Sequence, residues 1–394
     1  MLKCGMVGCR ILNINRTSSI MKYLILQNTI APYRNSLFNK LVENGMKIEL
    51  LYMCEREKER SWKIDYSTMK FPYVVDDKPY KTLFGVPLHW NPKLIGIMMR
   101  ARNARIIMGS PWNSPDVIAA CWLKRMGLLK AEIIFWSEAN YLTNGARKKN
   151  WLRDWIRQYV YNTGEGRVVV PGQMAIKTFE QWGILGKQFV LLPNVIEEDK
   201  ILPLLNEEHK FTSVEKQPRF VMPVRLDEKI KGIINFFKAI GKENVLSAQF
   251  EILGDGKDEA IIRQFIVDNS YENHIHLHGF CDMKKVVEYY LHSDCFILPS
   301  FSDPSPLSIV EACCCGLPLL ISCRCGNHYE ALADGKNGFI FDPDNADQIK
   351  TAFESLMKCR SKWTEMGDRS RQIYETNFKQ EVVIKQFVDN MKNG

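Results

Sequence analysis

The stretch Ile297–Gly316 (ILPSFSDPSPLSIVEACCCG) places two carboxylates around an expected helix start. A strand over Cys295–Leu298 ends there in a turn. Ser305 is expected to cap the next helix, with Pro306 at its first position and Gly316 closing it. The free amides near Pro304, Ser305, Pro306 and Leu307 would then form a positive helix N-terminus, a seat for phosphate or sugar hydroxyls. Asp303 in the loop and Glu311 about a turn and a half along the helix frame that seat. A carboxylate has paired acceptor oxygens, the geometry that adjacent ribose hydroxyls ask for, and a second acid near the amides suits the hydroxyls of a transferred sugar. By residue type alone, Asp303 can equally serve the turn and Glu311 the helix surface.

A second stretch, Val221–Gly232 (VMPVRLDEKIKG), follows a strand with Arg225 and Lys231 in a loop entering a helix. A diphosphate needs such cations, and arginine grips two phosphate oxygens at once. Lys229 competes with Lys231 for the role. Leu253-Gly254-Asp255-Gly256 permits close backbone approach after another strand, so Gly254 joins the candidate donor-side residues, but the pattern is not GxGxxG and specifies no dinucleotide. Cys325–Glu330 (CGNHYE) reads as a Gly turn into a helix start, and Asp334–Gly338 as an ordinary Gly turn.

Strands and helices that alternate must position these loops. Apolar runs at Tyr23–Gln27, Lys47–Met53, Ala104–Met108 and Ala131–Trp136 alternate with helical patterns, the signature of βαβ units on a parallel sheet. The rhythm restarts with strands at Arg219–Pro223, Ala248–Leu253, His274–His278, Cys295–Leu298 and Leu319–Ser322, and helices such as Lys231–Ile240 and Met283–His292. The expectation is an α/β chain of two Rossmann-like, doubly wound domains facing a central cleft. The first spans 22–195 and the second 218–372. The segment 196–217, rich in Glu, Lys and Pro, links them, and 373–394 carries a last helix, Glu381–Met391, that packs back on the first domain. In open α/β sheets ligands bind beyond the carboxyl ends of the strands, which is where the loops above lie.

At 394 residues, with 46% apolar and 25% charged, the chain has material for two cores, which excludes disordered and fibrous classes. No window carries the 18 to 20 uninterrupted apolar residues of a membrane-spanning helix, as roughly that many are needed. The first twenty residues lack a continuous apolar run and make a poor signal peptide, so Met21 is a plausible start and the cytoplasm the expected compartment. Twelve cysteines are sparse for this length and read as reduced thiols. The crowded set Cys313, Cys314, Cys315, Cys323 and Cys325 has no CxxC spacing, and adjacent helical residues point apart, so small buried side chains are expected there and no metal site.

The net charge of +8 is uneven. Residues 1–205 hold 30 Lys and Arg against 17 Asp and Glu, whereas residues 206–394 carry a net −5. A basic first half suits an anionic partner. Ala146–Tyr161 (ARKKNWLRDWIRQYVY) puts Trp151 and Trp155 on an aromatic stripe flanked by Arg147, Lys148 and other basic residues. That is the composition of a helix lying on an anionic bilayer, and equally of a helix packed on its own sheet with a solvated basic edge. No nucleic-acid motif accompanies the charge.

Taken in order, RLxxxxKG, LGDG, HGF, LPSFSDPSPLSIVEA, CGLPLLIS, GNHYE and DGKNGF resemble the C-terminal half of the family-4 (group 1) glycosyltransferases, retaining enzymes of the GT-B fold. The resemblance is strong over about residues 220–345. It is loose over 22–195, through the NTIAPYR loop, which begins with Asn28 and ends with Arg34, and through the LLPN of Leu191–Asn194. It implies a nucleotide diphosphosugar donor on the second domain. Arg225 and Lys231 match the pair that neutralises the diphosphate, and Glu311 matches the ribose-holding second acid of an E-x7-E motif. Asp303 stands where the first Glu is usual, and the loop before Lys231 is one residue longer than the common form. The place of a cleft histidine found in many relatives reads Trp136-Ser137-Glu138-Ala139-Asn140, which makes Glu138 a candidate catalytic residue beside Asp303.

The expected activity is retaining, metal-independent transfer of a sugar to a glycan acceptor, lipid-linked through a polyprenyl diphosphate, in cell-surface polysaccharide biosynthesis. No cofactor beyond the donor is implied, nor any nucleic-acid partner, and peripheral contact with the inner face of the cytoplasmic membrane fits the basic half. A sugar-nucleotide epimerase of the same fold, or a non-catalytic relative that only binds the nucleotide sugar, is the alternative.

Overall fold

The structure, a computed structural model, describes residues 2–5, 21–57, 63–78, 80–83, 86–143, 150–205, 211–212 and 215–392. Its two large sheets are the two Rossmann-like halves of the expected α/β class. In the first, β1 (Leu2–Gly5), β2 (Lys22–Gln27), β3 (Lys47–Tyr52), β4 (Tyr73–Asp76), β7 (Ala104–Met108), β8 (Glu132–Trp136), β9 (Arg167–Val170) and β10 (Gln188–Leu191) run in the order β1-β4-β3-β2-β7-β8-β9-β10. All pairs are parallel except β1 with β4. A small antiparallel pair, β5 (Lys81–Leu83) and β6 (Val86–Leu88), stands apart. The second sheet is wholly parallel: β11 (Arg219–Pro223), β12 (Gln249–Leu253), β13 (Ile275–Leu277), β14 (Cys295–Leu298), β15 (Leu319–Ser322) and β16 (Gly338–Phe341), in the order β13-β12-β11-β14-β15-β16.

Strand order fixes where ligands can sit. β2 lies between β3 and β7, and β11 between β12 and β14, so the chain reverses its direction of travel across each sheet at those strands. The crevice beyond the carboxyl end of such a switch point is where open α/β sheets bind ligands. The loops that leave β2, β11 and β14 are Asn28–Arg34, Val224–Lys231 and Pro299–Pro306, the segments singled out by their chemistry.

Covering both faces of a parallel sheet demands near-continuous apolar strands. In β2, Tyr23 and Ile25 enter one core and Leu24 and Leu26 the other, each 4% exposed or less. The face of Tyr23 and Ile25 is closed partly by the last helix, Gln380–Lys392, through Val383, Ile384, Phe387, Val388 and Met391. Arg105 and the Tyr23 hydroxyl both donate to the Met391 carbonyl. The preceding helix, Trp363–Asn377, packs on the second domain, where Gly367 meets Gly316 so closely that a Cβ on Gly367 would lie 2.2 Å from the Gly316 carbonyl oxygen. The crossover between domains is therefore at Phe378, and the boundary expected at 372/373 falls inside a continuous helix.

Of the expected linker 196–217, the described residues 196–201 are built into the domain junction. Ile196 and Ile201 are buried in the second core, and Glu198 Oε1 accepts from the Tyr374 hydroxyl and the Gln380 amide at 2.6 Å each. Strands β4, β9, β10 and β16, four residues each, are additional to the expected set. The cysteines Cys313, Cys314, Cys315 and Cys325 are buried, with burial raising their thiol pKa values, and no group of three or more metal-ligating side chains occurs among the described residues. Nor is any helix among them long and apolar enough to cross a membrane.

Candidate active site

In the second domain a pocket of about 470 Å³ opens between the loops after β11 and β14. Arg225, Lys231, Ser302, Asp303 and Pro304 line it. A backbone bond from Phe301 N to Ile230 O, 2.8 Å, straps the two loops together. The turn that aims Lys231 depends on Gly232, which follows it at φ +63° and would meet the Phe301 ring 2.9 Å from any Cβ. Lys231 donates to Asp303 Oδ2 at 2.5 Å, while Lys229 is exposed outside the pocket. Of the two lysines, Lys231 is the one positioned beside Arg225.

The helix after this loop is Leu307–Cys314, and its cap differs from expectation. Pro306, at φ −67° and ψ 123°, is the N-cap, and Ser305 makes no capping bond. Proline has no amide to give, so the helical turn starts one residue later and the N-terminal amides of Leu307 onward are left without a side-chain cap. The C-terminal stop at Gly316, φ +74°, is as expected. The approach of the next loop is tight: a Cβ on Gly326 would lie 1.8 Å from the Pro304 carbonyl oxygen. Gly254 performs a similar packing task, its absent Cβ making room 2.1 Å from the Val224 carbonyl, so it sets the loop carrying Arg225 and does not itself line the pocket.

Glu311 lies one turn inside this helix and is 9% exposed. The Tyr290 hydroxyl donates to its Oε2 at 2.9 Å. Burial pushes the Glu311 carboxyl up to about 7, against the opposing pull of the Tyr290 bond. Tyr290 is a partner that sequence spacing does not reveal.

In the first domain a smaller cavity, about 260 Å³, lies beyond β2, β7 and β8. Asn28, Arg34 and Glu138 line it with Ser110 and the aromatic rings of Trp112, Trp136 and Trp182. Arg34 lies 4.6 Å over the Trp136 ring and donates to Gln27 Oε1 at 2.9 Å and Glu138 Oε1 at 2.7 Å. Burial opposes its charge most strongly, but Glu138, Tyr33 and Tyr52 together outweigh it, so the guanidinium pKa is raised. Asn28 donates to Glu57 Oε1 at 2.7 Å, and the buried His89 lies 3.4 Å from the same oxygen, behind the cleft wall.

The two halves meet around these cavities. Asn194, from the LLPN segment, donates to Glu138 Oε1 at 3.1 Å and to the Ser305 carbonyl at 3.4 Å, joining the acid of one domain to the loop of the other. Asn140 donates to the Arg324 carbonyl at 3.0 Å, and Arg324 Nη1 returns a bond to Leu142 O at 2.9 Å. Glu330 accepts from the Gln173 amide at 2.7 Å across the same junction. Asn194, Arg324 and Glu330 are joint-forming residues whose role depends on contacts more than a hundred positions away in sequence.

The aromatic stripe of Trp151–Tyr161 does not pack as a unit. Val160 and Tyr161 are buried, whereas Trp151, Leu152 and Trp155 are 80%, 48% and 61% exposed. The helix turns its first two turns outward because Arg157, stacked 3.9 Å over Trp182, occupies the inward face. Arg147 and Lys148 lie outside the described residues.

Comparison with known proteins follows the same division. Residues 206–373 match the family of glycosyl transferases group 1. N-acetyl-alpha-D-glucosaminyl L-malate synthase of Bacillus anthracis is 24% identical over 183 residues, 46% of this chain and 47% of that one. Alpha-monoglucosyldiacylglycerol synthase of Acholeplasma laidlawii is 25% identical over 46% of this chain and 42% of its own. The matches thus span less than half the length of these curated relatives. Among solved structures, Anabaena Alr3699/HepE in complex with UDP superposes with a TM-score of 0.72 over 95% of this chain and all of that one, at 14% identity. The lipopolysaccharide outer core galactosyltransferase WaaB, in its apo form, gives 0.67 over 95% and 99%, also at 14%.

The fold is that of the GT-B glycosyltransferases. The family match, residues 206–373, falls on the second of its two domains.

Proposed function

We propose that the protein is a retaining glycosyltransferase that binds a nucleotide diphosphosugar in the second-domain pocket without a metal ion. It passes the sugar to a glycan acceptor held by the first domain, a lipid-linked one in cell-surface polysaccharide assembly. The observation that carries the reading is that Arg225, Lys231 and Asp303 line one pocket at a switch point, whose wall at Pro304 leads into the uncapped start of Leu307–Cys314. Two cations and a helix N-terminus are a complete counter-charge for a diphosphate. UDP in the Anabaena structure and the galactosyltransferase activity named for WaaB support a nucleotide-sugar donor.

In this reading Arg225 and Lys231 hold the diphosphate and stabilise its growing charge as the bond from the anomeric carbon to the phosphate oxygen breaks. The acceptor oxygen bonds to that carbon on the same face, and its proton passes to the departing phosphate oxygen. Asp303, on the pocket wall, receives hydroxyls of the sugar, and Glu311 the ribose. Glu138 is tied to Arg34 and Asn194 and acts by positioning the cleft wall.

The test is incubation with UDP-glucose, UDP-galactose and UDP-N-acetylglucosamine in EDTA, with proton NMR of the first anomer released to water or to an added glycan. Release of the α-anomer from one donor supports the proposal. Release of the β-anomer, a strict metal requirement, or no turnover of any nucleotide sugar contradicts it.

A further inference from the structure

We infer that the first-domain cavity seats a single uncharged sugar ring of the acceptor, and that Glu138 sets this preference by neutralising Arg34; the inference rests on the transferase reading above. At about 260 Å³ the cavity falls below the roughly 300–1,000 Å³ of sites for drug-sized ligands, which leaves room for one ring and not for an oligosaccharide. Trp112, Trp136 and Trp182 give it flat apolar walls of the kind that cover the C–H face of a pyranose.

Its polar groups point to hydroxyls. Ser110 Oγ and Trp136 Nε1 belong to side chains 6% and 7% exposed, and neither makes a hydrogen bond among the described residues. A buried donor without a partner is costly, and a ligand hydroxyl bonding there removes the cost. Arg34 and Glu138 are the charged side chains among those lining the cavity, and they are paired at 2.7 Å. An anionic ligand would find both Nη groups of the cation engaged, by Gln27 and Glu138, with only Nε without a partner among the described residues, and a carboxylate beside it. The positive excess of the first half therefore lies outside this cavity, and a phosphate of the acceptor is held elsewhere.

Saturation-transfer NMR on the full chain with UDP present tests this, using methyl β-D-glucopyranoside, methyl β-D-galactopyranoside and methyl β-D-glucuronide as probes. A neutral glycoside should bind roughly tenfold more tightly than the glucuronide, as expected for a charge-assisted pair already formed within the protein. Trp112→Ala should lose the signal. Glu138→Gln, which frees Arg34, should narrow or invert the ratio, and Glu138→Asp should restore it. Equal or tighter binding of the glucuronide to the unmodified protein, no binding of any probe, or an unchanged ratio in Glu138→Gln overturns the inference. The UDP-induced rise in unfolding temperature, read on each protein, separates the two claims: kept while the saccharide pattern fails, the cavity inference falls alone; missing in the unmodified protein, the donor reading falls first.

Discussion

Lys231 Nζ lies 2.5 Å from Asp303 Oδ2 at the mouth of the second-domain pocket, both side chains about five-sixths buried. In the proposed reading, the acid assigned to the hydroxyls of the transferred sugar therefore also holds the cation assigned to the diphosphate. Replacing Lys231 with Ala removes a charge-assisted contact worth about 1.5–3 kcal/mol, so affinity for UDP should fall roughly ten- to a hundredfold. Asp303→Asn should do the opposite to UDP, which then meets an unpaired lysine, while turnover of the sugar nucleotide drops. Isothermal titration with UDP, set beside turnover, checks both; weaker UDP binding in Asp303→Asn would mean that the acid organises the loop and does not compete for Lys231.

Stability should depend on pH through Glu311. Its folded carboxyl titrates at about 7 against 4.5 for the ordinary group, so between those values the folded chain holds a proton that the unfolded chain has lost. Stability contributed by the protonated form is complete below about 4.5 and is lost as pH rises through 7. Asp116, raised to about 6 chiefly by burial, acts in the same direction over a lower window. Denaturant unfolding from pH 5 to 8 should show a decline that Glu311→Gln reduces by a few kcal/mol at most, leaving the Asp116 part in place.

Arg324 is 3% exposed and bonds to Asp342 and Asp344 within its own domain and to Leu142 O in the other. Arg324→Ala should destabilise the protein by roughly 1–3 kcal/mol, since Asp342 and Asp344 are 39% and 49% exposed and remain solvated while the bonds and packing of the buried guanidinium are lost, and should loosen the domain junction. Calorimetry is expected to split a single transition into two. One sharp transition at an unchanged temperature would show that the junction does not depend on this side chain.

Trp151 and Trp155 stand out from the surface of a basic lobe. Vesicles rich in phosphatidylglycerol should sediment the protein, and the Trp151→Ala/Trp155→Ala double variant should bind them roughly fivefold less at equal unfolding temperature. Vesicles of phosphatidylcholine alone should bind neither, and salt should weaken the interaction. Equal binding by the double variant would assign these rings to another partner.

Much of the scaffold is legible in the sequence. The apolar runs of β2, β7, β11, β14 and β15 are found within a residue of their places because strands buried on both faces are apolar throughout. Strands β4, β9, β10 and β16 are not in the expected set; length is not the reason, since β14 and β15 are also four residues long, but β10 and β16 are edge strands only partly buried. The gathering of Arg225, Lys231 and Asp303 at one pocket is readable for a related reason: they lie in local turns, where spacing has direct geometric meaning. Even so, the choice of Lys231 over Lys229 needs the left-handed turn at Gly232 and its contact with Phe301. The pairing of Arg34 with Glu138, and of both domains through Asn194, joins residues 104 and 56 positions apart from Glu138 and follows only from strand order. Ser305 misleads because a serine before a helix is a good cap in general, but here the following proline takes the cap position itself.

The most direct test of the account is thermal unfolding in EDTA with UDP, GDP, ADP and CDP in turn, for the unmodified chain and for Lys231→Ala. A diphosphate at about 100 times its dissociation constant adds about 2.7 kcal/mol of stability, a shift of several degrees. The account predicts such a shift with one of the four and its loss in Lys231→Ala. No shift with any at millimolar concentration, or an equal shift in Lys231→Ala, would contradict it.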